Sequence, residues 1–188
     1  MSEKYKVRDH EKAHYMTLTT TGWVDVFSRK NHRMAVVDSL EYCQQHKGLE
    51  LFAWCLMSNH LHLIGRADGP VTLPEIIRDV KKHTGRTIMK QIIEEPESRR
   101  EWMLGIFGQR ASELKRVSNY KLWQDGFRPI ELSSNRFIKE KVNYIHNNPV
   151  EAYLVEHPEH WMFSSARNYA GIDGLLDVIV LDEAKYDV

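Results

Sequence analysis

"LELFAWCLMSNHLHLIGR", residues 49–66, holds two apolar runs joined by a Ser-Asn pair, and its reading decides the fold. The first run, 49–57, is apolar at both parities, the pattern of a central strand covered on both sides. "SN" then turns the chain, with Asn59 able to adopt the unusual backbone angles of a tight turn, and "HLHLIGR" returns as the second strand of a hairpin. Alternate side chains of a strand share a face, so Leu61 and Leu63 point into a core while His60 and His62 point together to the other side. Two neutral imidazoles in that position can hold one divalent cation and leave room for substrate. A His-x-His pair is also common on ordinary strands, as a surface or hydrogen-bonded feature, so it needs partners elsewhere in the chain.

Outward from the hairpin, "HYMTLTTT" (14–21) is rich in β-branched and aromatic residues and is broken by Gly22, which predicts a strand. Residues 30–48 carry apolar side chains at helical spacing, with Asn31 as N-cap and Gly48 as stop. Leu73 to about Glu95 reads as a second helix, opened by a Thr cap with Pro74 in the first turn. On it Ile77, Val80, Thr84, Ile88 and Gln91 share one side, and Arg78, Lys82, Arg86 and Lys90 the opposite one. That basic stripe is either a solvated face or a set of phosphate contacts. Residues 96–118 read as an irregular or broken helix. "NYKLWQDGFRPIEL" reads as a strand, a "DG" turn and an extended return, bearing Trp123 and Phe127. "SSNRFIKEKVNYIHNNP" predicts a short helix stopped by its proline. A loop, a helical turn and a late strand at "DVIVLD" complete the chain. The order strand, helix, strand, strand, helix, strand predicts an α+β fold: a ferredoxin-like antiparallel sheet with helices packed mainly on one face.

The 188 residues suit one domain, 1–188, with a core from about 14 to 170 and an acidic tail, 171–188. Hydrophobic residues make up 42% and charged residues 28%, a soluble composition, and no apolar run approaches the roughly twenty residues of a membrane helix. The amino terminus lacks a secretory signal, which places the expected location in the cytoplasm. Cys43 and Cys55 lie in apolar segments as small hydrophobes and suggest neither a disulfide framework nor zinc. A formal net charge of +0 hides an asymmetry, a basic stretch at 78–90 against the acidic tail.

A cation needs further ligands, and phosphoryl transfer needs a nucleophile. The helix at 134–148 offers both. Tyr144 and Asn148 stand four residues apart, stacked on one side beside the apolar stripe of Ile138, Val142 and Ile145. The blander readings are a core tyrosine with its hydroxyl at the rim and a helix C-cap before Pro149.

"LMSNHLHLIG", "LWQDGFRPIEL" and "NYIHNNPVEAYLVEHPEHWMFSSARNY", in that order, resemble the IS200-like transposases, the single-tyrosine HUH family, and within it the REP-associated tyrosine transposases. HUH denotes His, a hydrophobic residue, His. The similarity runs from about Tyr15 to about Tyr169. It implies that His60 and His62 are metal ligands, that Tyr144 is the nucleophile, and that Asn148 is a third, amide ligand. Ser58 stands where relatives often have proline. Tyr153 replaces a common glycine and Glu151 a common basic residue, changes that bear on DNA contacts near that loop. The implied activity is cleavage and rejoining of single-stranded DNA near hairpin-forming palindromes through a 5′-phosphotyrosine, with Mg²⁺ or Mn²⁺ polarising the scissile phosphate. A phenol ordinarily ionises near pH 10, so deprotonation needs help, and the sequence names no base. His146 projects from another helix face.

For DNA contact, Lys81, Lys82, Arg86 and Lys90 suit phosphates, and Trp123 and Phe127 suit unpaired bases, core packing being the alternative for the two aromatics. The chain is expected to act as a monomer or homodimer, away from membranes. Two rival readings stand: a non-catalytic DNA-hairpin-binding relative, and a metal-dependent phosphodiesterase using water as nucleophile with Tyr144 structural.

Overall fold

The hairpin forms where the alternation predicts it. In the computed structural model, which describes residues 7, 12–114 and 119–181, β2 (Leu49–Leu56) pairs antiparallel with β3 (His60–Ala67). β1 (His14–Thr19) lies against the other edge of β3, and a two-residue strand completes the sheet. The chain order is β1, α1 (Lys30–Lys47), β2, β3, α2 (Leu73–Glu94), α3 (Arg100–Ser112), β4 (Ile130–Glu131), α4 (Asn135–Glu151) and α5 (Ala166–Tyr169). The spatial order β2-β3-β1-β4, antiparallel throughout, is the ferredoxin-like arrangement.

A register shift between Leu51 and Ala53 explains why the parity of β2 could not be read. Phe52 is the extra residue of a β-bulge. Before it Leu49 and Leu51 face α1 and α2, whereas beyond it Trp54 and Leu56 do, and Phe52, Ala53 and Cys55 face α4. The sheet therefore has a core on each side. Val36, Leu40, Ile76, Ile77, Val80 and Ile88 fill one with Leu61 and Leu63; Ile138, Val142 and Ile145 fill the other with Tyr15 and Ile64. Each fully buried aliphatic side chain contributes about 1.5–3 kcal/mol. α1 and α2 thus cover one face as expected, and α4 covers the other.

The element boundaries follow local chemistry. Gly48, at φ 70°, ends α1 and donates its N–H to the Cys43 carbonyl. α2 starts at Thr72, whose N–H and hydroxyl both donate to the Glu75 carboxylate, at 3.0 and 2.7 Å. Asn31 is not the cap of α1; that place belongs to Arg29, and Asn31 sits in the first turn with its Oδ1 accepting the His32 N–H. Asn59 does not take a left-handed conformation, since among the described residues other than glycine only Trp23 and Tyr153 have positive φ. Residues 100–112 form one unbroken helix rather than a broken one. The segment around Asp125 and Gly126 makes no hairpin: Trp123 bridges to Thr20, and only Ile130 and Glu131 reach the sheet. Pro149 does not stop α4, because a proline in the last turn forfeits only one backbone bond.

The acidic tail is less of an appendage than its composition suggests. Leu176 is buried in the α1/α2-side core and the Ile179 N–H donates to the Leu51 carbonyl at 2.9 Å, but residues 177–181 form no strand. Residues 182–188 lie outside the described residues.

Candidate active site

Strand parity puts His60 and His62 on the α4 side of the sheet, with their ring centroids 4.7 Å apart. Leu61 and Leu63, at the alternate positions, are fully buried on the other face. The antiparallel register sets Thr17 of β1 directly opposite His62. Nδ1 of His62 lies 3.0 Å from the Tyr15 hydroxyl and 3.0 Å from Thr17 Oγ1, and the Thr17 hydroxyl also donates to the Tyr15 oxygen at 3.1 Å. Two hydroxyl oxygens on one nitrogen orient the ring and suit the tautomer that carries its proton there. Nε2 of His62 is buried with no hydrogen-bond partner.

His60 is oriented by another route. Its Nδ1 meets Asn59 Oδ1 at 2.6 Å, while Asn59 Nδ2 donates to the Trp23 carbonyl at 3.2 Å. With the amide oriented that way its oxygen only accepts, so His60 Nδ1 is the donor and Nε2 keeps a free lone pair. Burial pushes the pKa of both histidines down, and for His62 the neighbouring His60 adds to that, bringing it to about 3. Both imidazoles are neutral at physiological pH, the form that ligates metals.

α4 brings the other two residues to the pair. The Tyr144 ring stands edge-on to His62 at 5.4 Å and to Tyr15 at 6.4 Å, and the residue is 43% exposed. Asn148, one turn on, donates through Nδ2 to the Tyr144 carbonyl at 2.7 Å. Its side chain acts on both His60 and His62 to raise their pKa, against the larger effect of burial. His146 points elsewhere: it is buried, its Nε2 is 2.8 Å from Ser165 Oγ, and desolvation lowers its pKa to about 4.

Three neighbours of the site escaped the sequence reading. Tyr15 and Thr17 come from β1, a strand some 45 residues away whose register is not encoded locally. Lys141 precedes Tyr144 by one helical turn, and its Nζ is 5.7 Å from the Tyr144 ring centroid and 5.6 Å from that of Tyr15. The i, i+3 spacing was the available signal for Lys141.

The residues assigned to DNA contact do not gather here. α2 packs on the opposite face of the sheet, so exposed Lys82, Arg86 and Lys90 stand across the sheet from the histidines. Lys81 is committed to the fold: its ammonium donates to the Gln124 and Gly126 carbonyls at 2.5 and 2.6 Å, and burial pushes its pKa down to about 8. Trp123 is corrected outright. It is 3% exposed, its indole N–H donates to the Thr84 hydroxyl at 2.9 Å, and its ring packs on Phe27, so no base can stack on it. Phe127 is half-buried against the same core.

Among the described residues no three His, Cys, Asp or Glu side chains come together as a metal cage. The side chains here that could ligate a cation are the imidazoles of His60 and His62 and the amide of Asn148. A ferredoxin-like sheet that presents His, a hydrophobic residue and His towards a tyrosine on a covering helix has the architecture of the HUH class. Within that class the chain belongs to the IS200-like transposases: the model of the family described as "Transposase IS200 like" matches residues 11–107, which include both histidines. A solved REP-associated tyrosine transposase bound to a REP hairpin shares the fold, with a TM-score of 0.59 and 19% identity over 100% of this chain and 98% of that one. A Deinococcus radiodurans protein assigned as a transposase gives a TM-score of 0.44 at 16% identity, over 78% of this chain and 97% of that one. No curated protein sequence matches the chain.

Proposed function

We propose that this chain is a metal-dependent transposase that cleaves and rejoins single-stranded DNA beside hairpins, with Tyr144 as nucleophile and His60, His62 and Asn148 as metal ligands. The observation that carries the reading is the convergence on one spot of the Tyr144 ring, two neutral imidazoles and the unpartnered Nε2 of His62. A buried nitrogen without a partner costs stability unless something binds it. His60, His62 and Asn148 would hold a divalent cation, Mg²⁺ or Mn²⁺; two imidazole nitrogens favour Mn²⁺ over Mg²⁺, which prefers oxygen ligands. When bound, it supplies Lewis-acid stabilisation of the charge that develops on the phosphate.

The chain's own residues do the rest. Tyr144 Oη forms a bond to phosphorus as the bond to the 3′ oxygen breaks; the phenol proton is released and the departing oxygen takes one up as a free 3′-OH. The phosphotyrosine conserves the bond energy, so a second 3′-OH can reverse the step and join strands. Tyr15 and Thr17 hold His62, Asn59 holds His60, and Lys141 brings positive charge beside the ring that meets an anionic phosphate. Exposed Lys82, Arg86 and Lys90 are then phosphate contacts only for DNA that reaches around the sheet. We take residues 1–188 as one domain whose site is complete within one chain, acting in the cytoplasm as a monomer or homodimer. Among the described residues no helix is long and apolar enough to cross a membrane.

The test is a denaturing-gel assay for a covalent adduct with labelled single-stranded hairpins taken from beside the gene, in Mn²⁺. An adduct is expected with the unsubstituted chain and none with Tyr144→Phe, whose DNA binding persists. An adduct that survives Tyr144→Phe removes the nucleophile assignment. Strand cleavage without any adduct favours water as the attacking group.

A further inference from the structure

Trp23 is the second of two consecutive left-handed residues, at φ 57° after Gly22 at φ 64°. Glycine adopts that conformation freely, whereas a bulky aromatic residue meets steric resistance from its own Cβ. The side chain gives little back to the fold, for it is 62% exposed and its aromatic neighbour is the edge of His60 at 6.5 Å. A strained backbone that holds an exposed indole beside a reactive site is a feature whose return lies outside the folded chain.

The turn that carries it is firmly pinned. The Thr20 N–H donates to the Asn59 carbonyl at 2.9 Å, the Thr20 hydroxyl to the Val24 carbonyl at 2.9 Å, and the Thr21 N–H to the Leu122 carbonyl at 2.7 Å. Asn59 bonds the Trp23 carbonyl with one end of its amide and His60 with the other, so a single side chain ties the backbone of Trp23 to the ring of His60. The rings follow in the order Tyr144, His62, His60, Trp23, with centroid separations of 5.4, 4.7 and 6.5 Å. In-line displacement at phosphorus sets the leaving oxygen opposite the attacking one. The nucleotide bearing that oxygen therefore extends away from Tyr144, and Trp23, at the other end of the series of rings, is the exposed aromatic surface available to it.

We infer that Trp23 is a stacking platform for the unpaired base of the nucleotide that carries the leaving 3′ oxygen. The inference rests on the reading of Tyr144 as nucleophile and adds a substrate-positioning residue to it. An indole face accepts any base, so Trp23 fixes where the strand lies rather than which base it carries. It takes the role that the sequence suggested for Trp123, which the core has claimed.

The experiment measures binding of the full chain, by fluorescence anisotropy in EDTA, to a fluorescein-labelled DNA hairpin with a single-stranded flank. A matched set of hairpins has each flank base in turn replaced by an abasic residue. Trp23→Ala and Trp23→Gly are expected to weaken binding about 5- to 150-fold, and Trp23→Phe to keep most of it. One abasic position should weaken the unsubstituted chain to a similar degree and leave Trp23→Ala unaffected. Tyr42→Ala, which changes a comparably exposed ring (54%) on the last turns of α1, should bind as the unsubstituted chain does. The thermal midpoint of Trp23→Gly should equal or exceed that of the parent. Unchanged affinity in both small variants overturns the inference, as do losses that multiply at every abasic position, or a Trp23→Gly variant that unfolds early because the ring is structural. Absence of DNA binding by the unsubstituted chain would instead overturn the proposed function itself.

Discussion

A histidine that is to ligate a metal through one nitrogen has to be told which nitrogen to use. In His62, a ligand under the proposed function, that instruction comes from β1: hydroxyls of Tyr15 and Thr17, each 3.0 Å from Nδ1, leave Nε2 buried and bare. Partners of this kind are worth about 10–100-fold in metal affinity. Thr17→Val, which keeps the shape and removes one hydroxyl, is expected to weaken Mn²⁺ binding about tenfold in a titration followed by electron paramagnetic resonance, with the thermal midpoint little changed. An unchanged Mn²⁺ affinity would mean that Tyr15 alone orients the ring, or that the metal is not held by His62. The two histidines themselves could be read from the sequence because strand parity is a local property. Their supports could not be, since Thr17 meets His62 only through a pairing register set across β1 and β3.

Elements impose their own requirements on single residues. α4 ends beyond Pro149, and its chain reverses at Tyr153, where φ is 55° and Leu154 N–H returns to the Pro149 carbonyl at 2.9 Å. That closing residue belongs to the left-handed region, the usual province of glycine after a helix. Tyr153 is 96% exposed, so its ring gains almost nothing from the fold in exchange for the strained backbone. Tyr153→Gly should therefore stabilise the protein by about 0.5–1 kcal/mol, the relief of strain being partly offset by the greater freedom of glycine in the unfolded chain. A midpoint raised by a few degrees in calorimetry is the expected reading, and a lowered one would mean the ring packs in solution. The sequence exposed this position by its departure from a resembling family, but it hid the bulge at Phe52. An apolar run has no alternation to interrupt, so the inserted residue left no trace until Phe52 and Ala53 were seen on the same face. β4 was overestimated for the opposite reason: the strand-like composition of 119–132 is spent on packing Leu122 and Trp123 against the α1/α2-side core rather than on sheet pairing.

At the scale of the whole molecule, acid is the condition the structure is least built to meet. Desolvation holds the His146 pKa at about 4, and desolvation with the charge of His60 holds that of His62 at about 3. In the unfolded chain both return to about 6.5. Below that pH the unfolded state binds more protons than the native one, so stability falls as pH falls. Glu97 acts in the same direction. Burial alone would raise its pKa, but hydrogen bonds from Arg29 and Arg99 outweigh that and hold it at about 2, so its contribution is present above the ordinary glutamate range and disappears as pH drops towards 2. Without divalent cations, the unfolding free energy is expected to be level near neutrality and to decline steadily from about pH 6.5 to pH 4. His146→Gln should flatten that decline by an amount on the order of 3 kcal/mol at pH 4, whatever it costs at pH 7, because the test lies in the slope. Urea titrations across the range decide it. An unaltered slope would mean that His146 takes up its proton in the native state, and that its buried place beside Ser165 and Tyr169 opens far more easily than its packing implies.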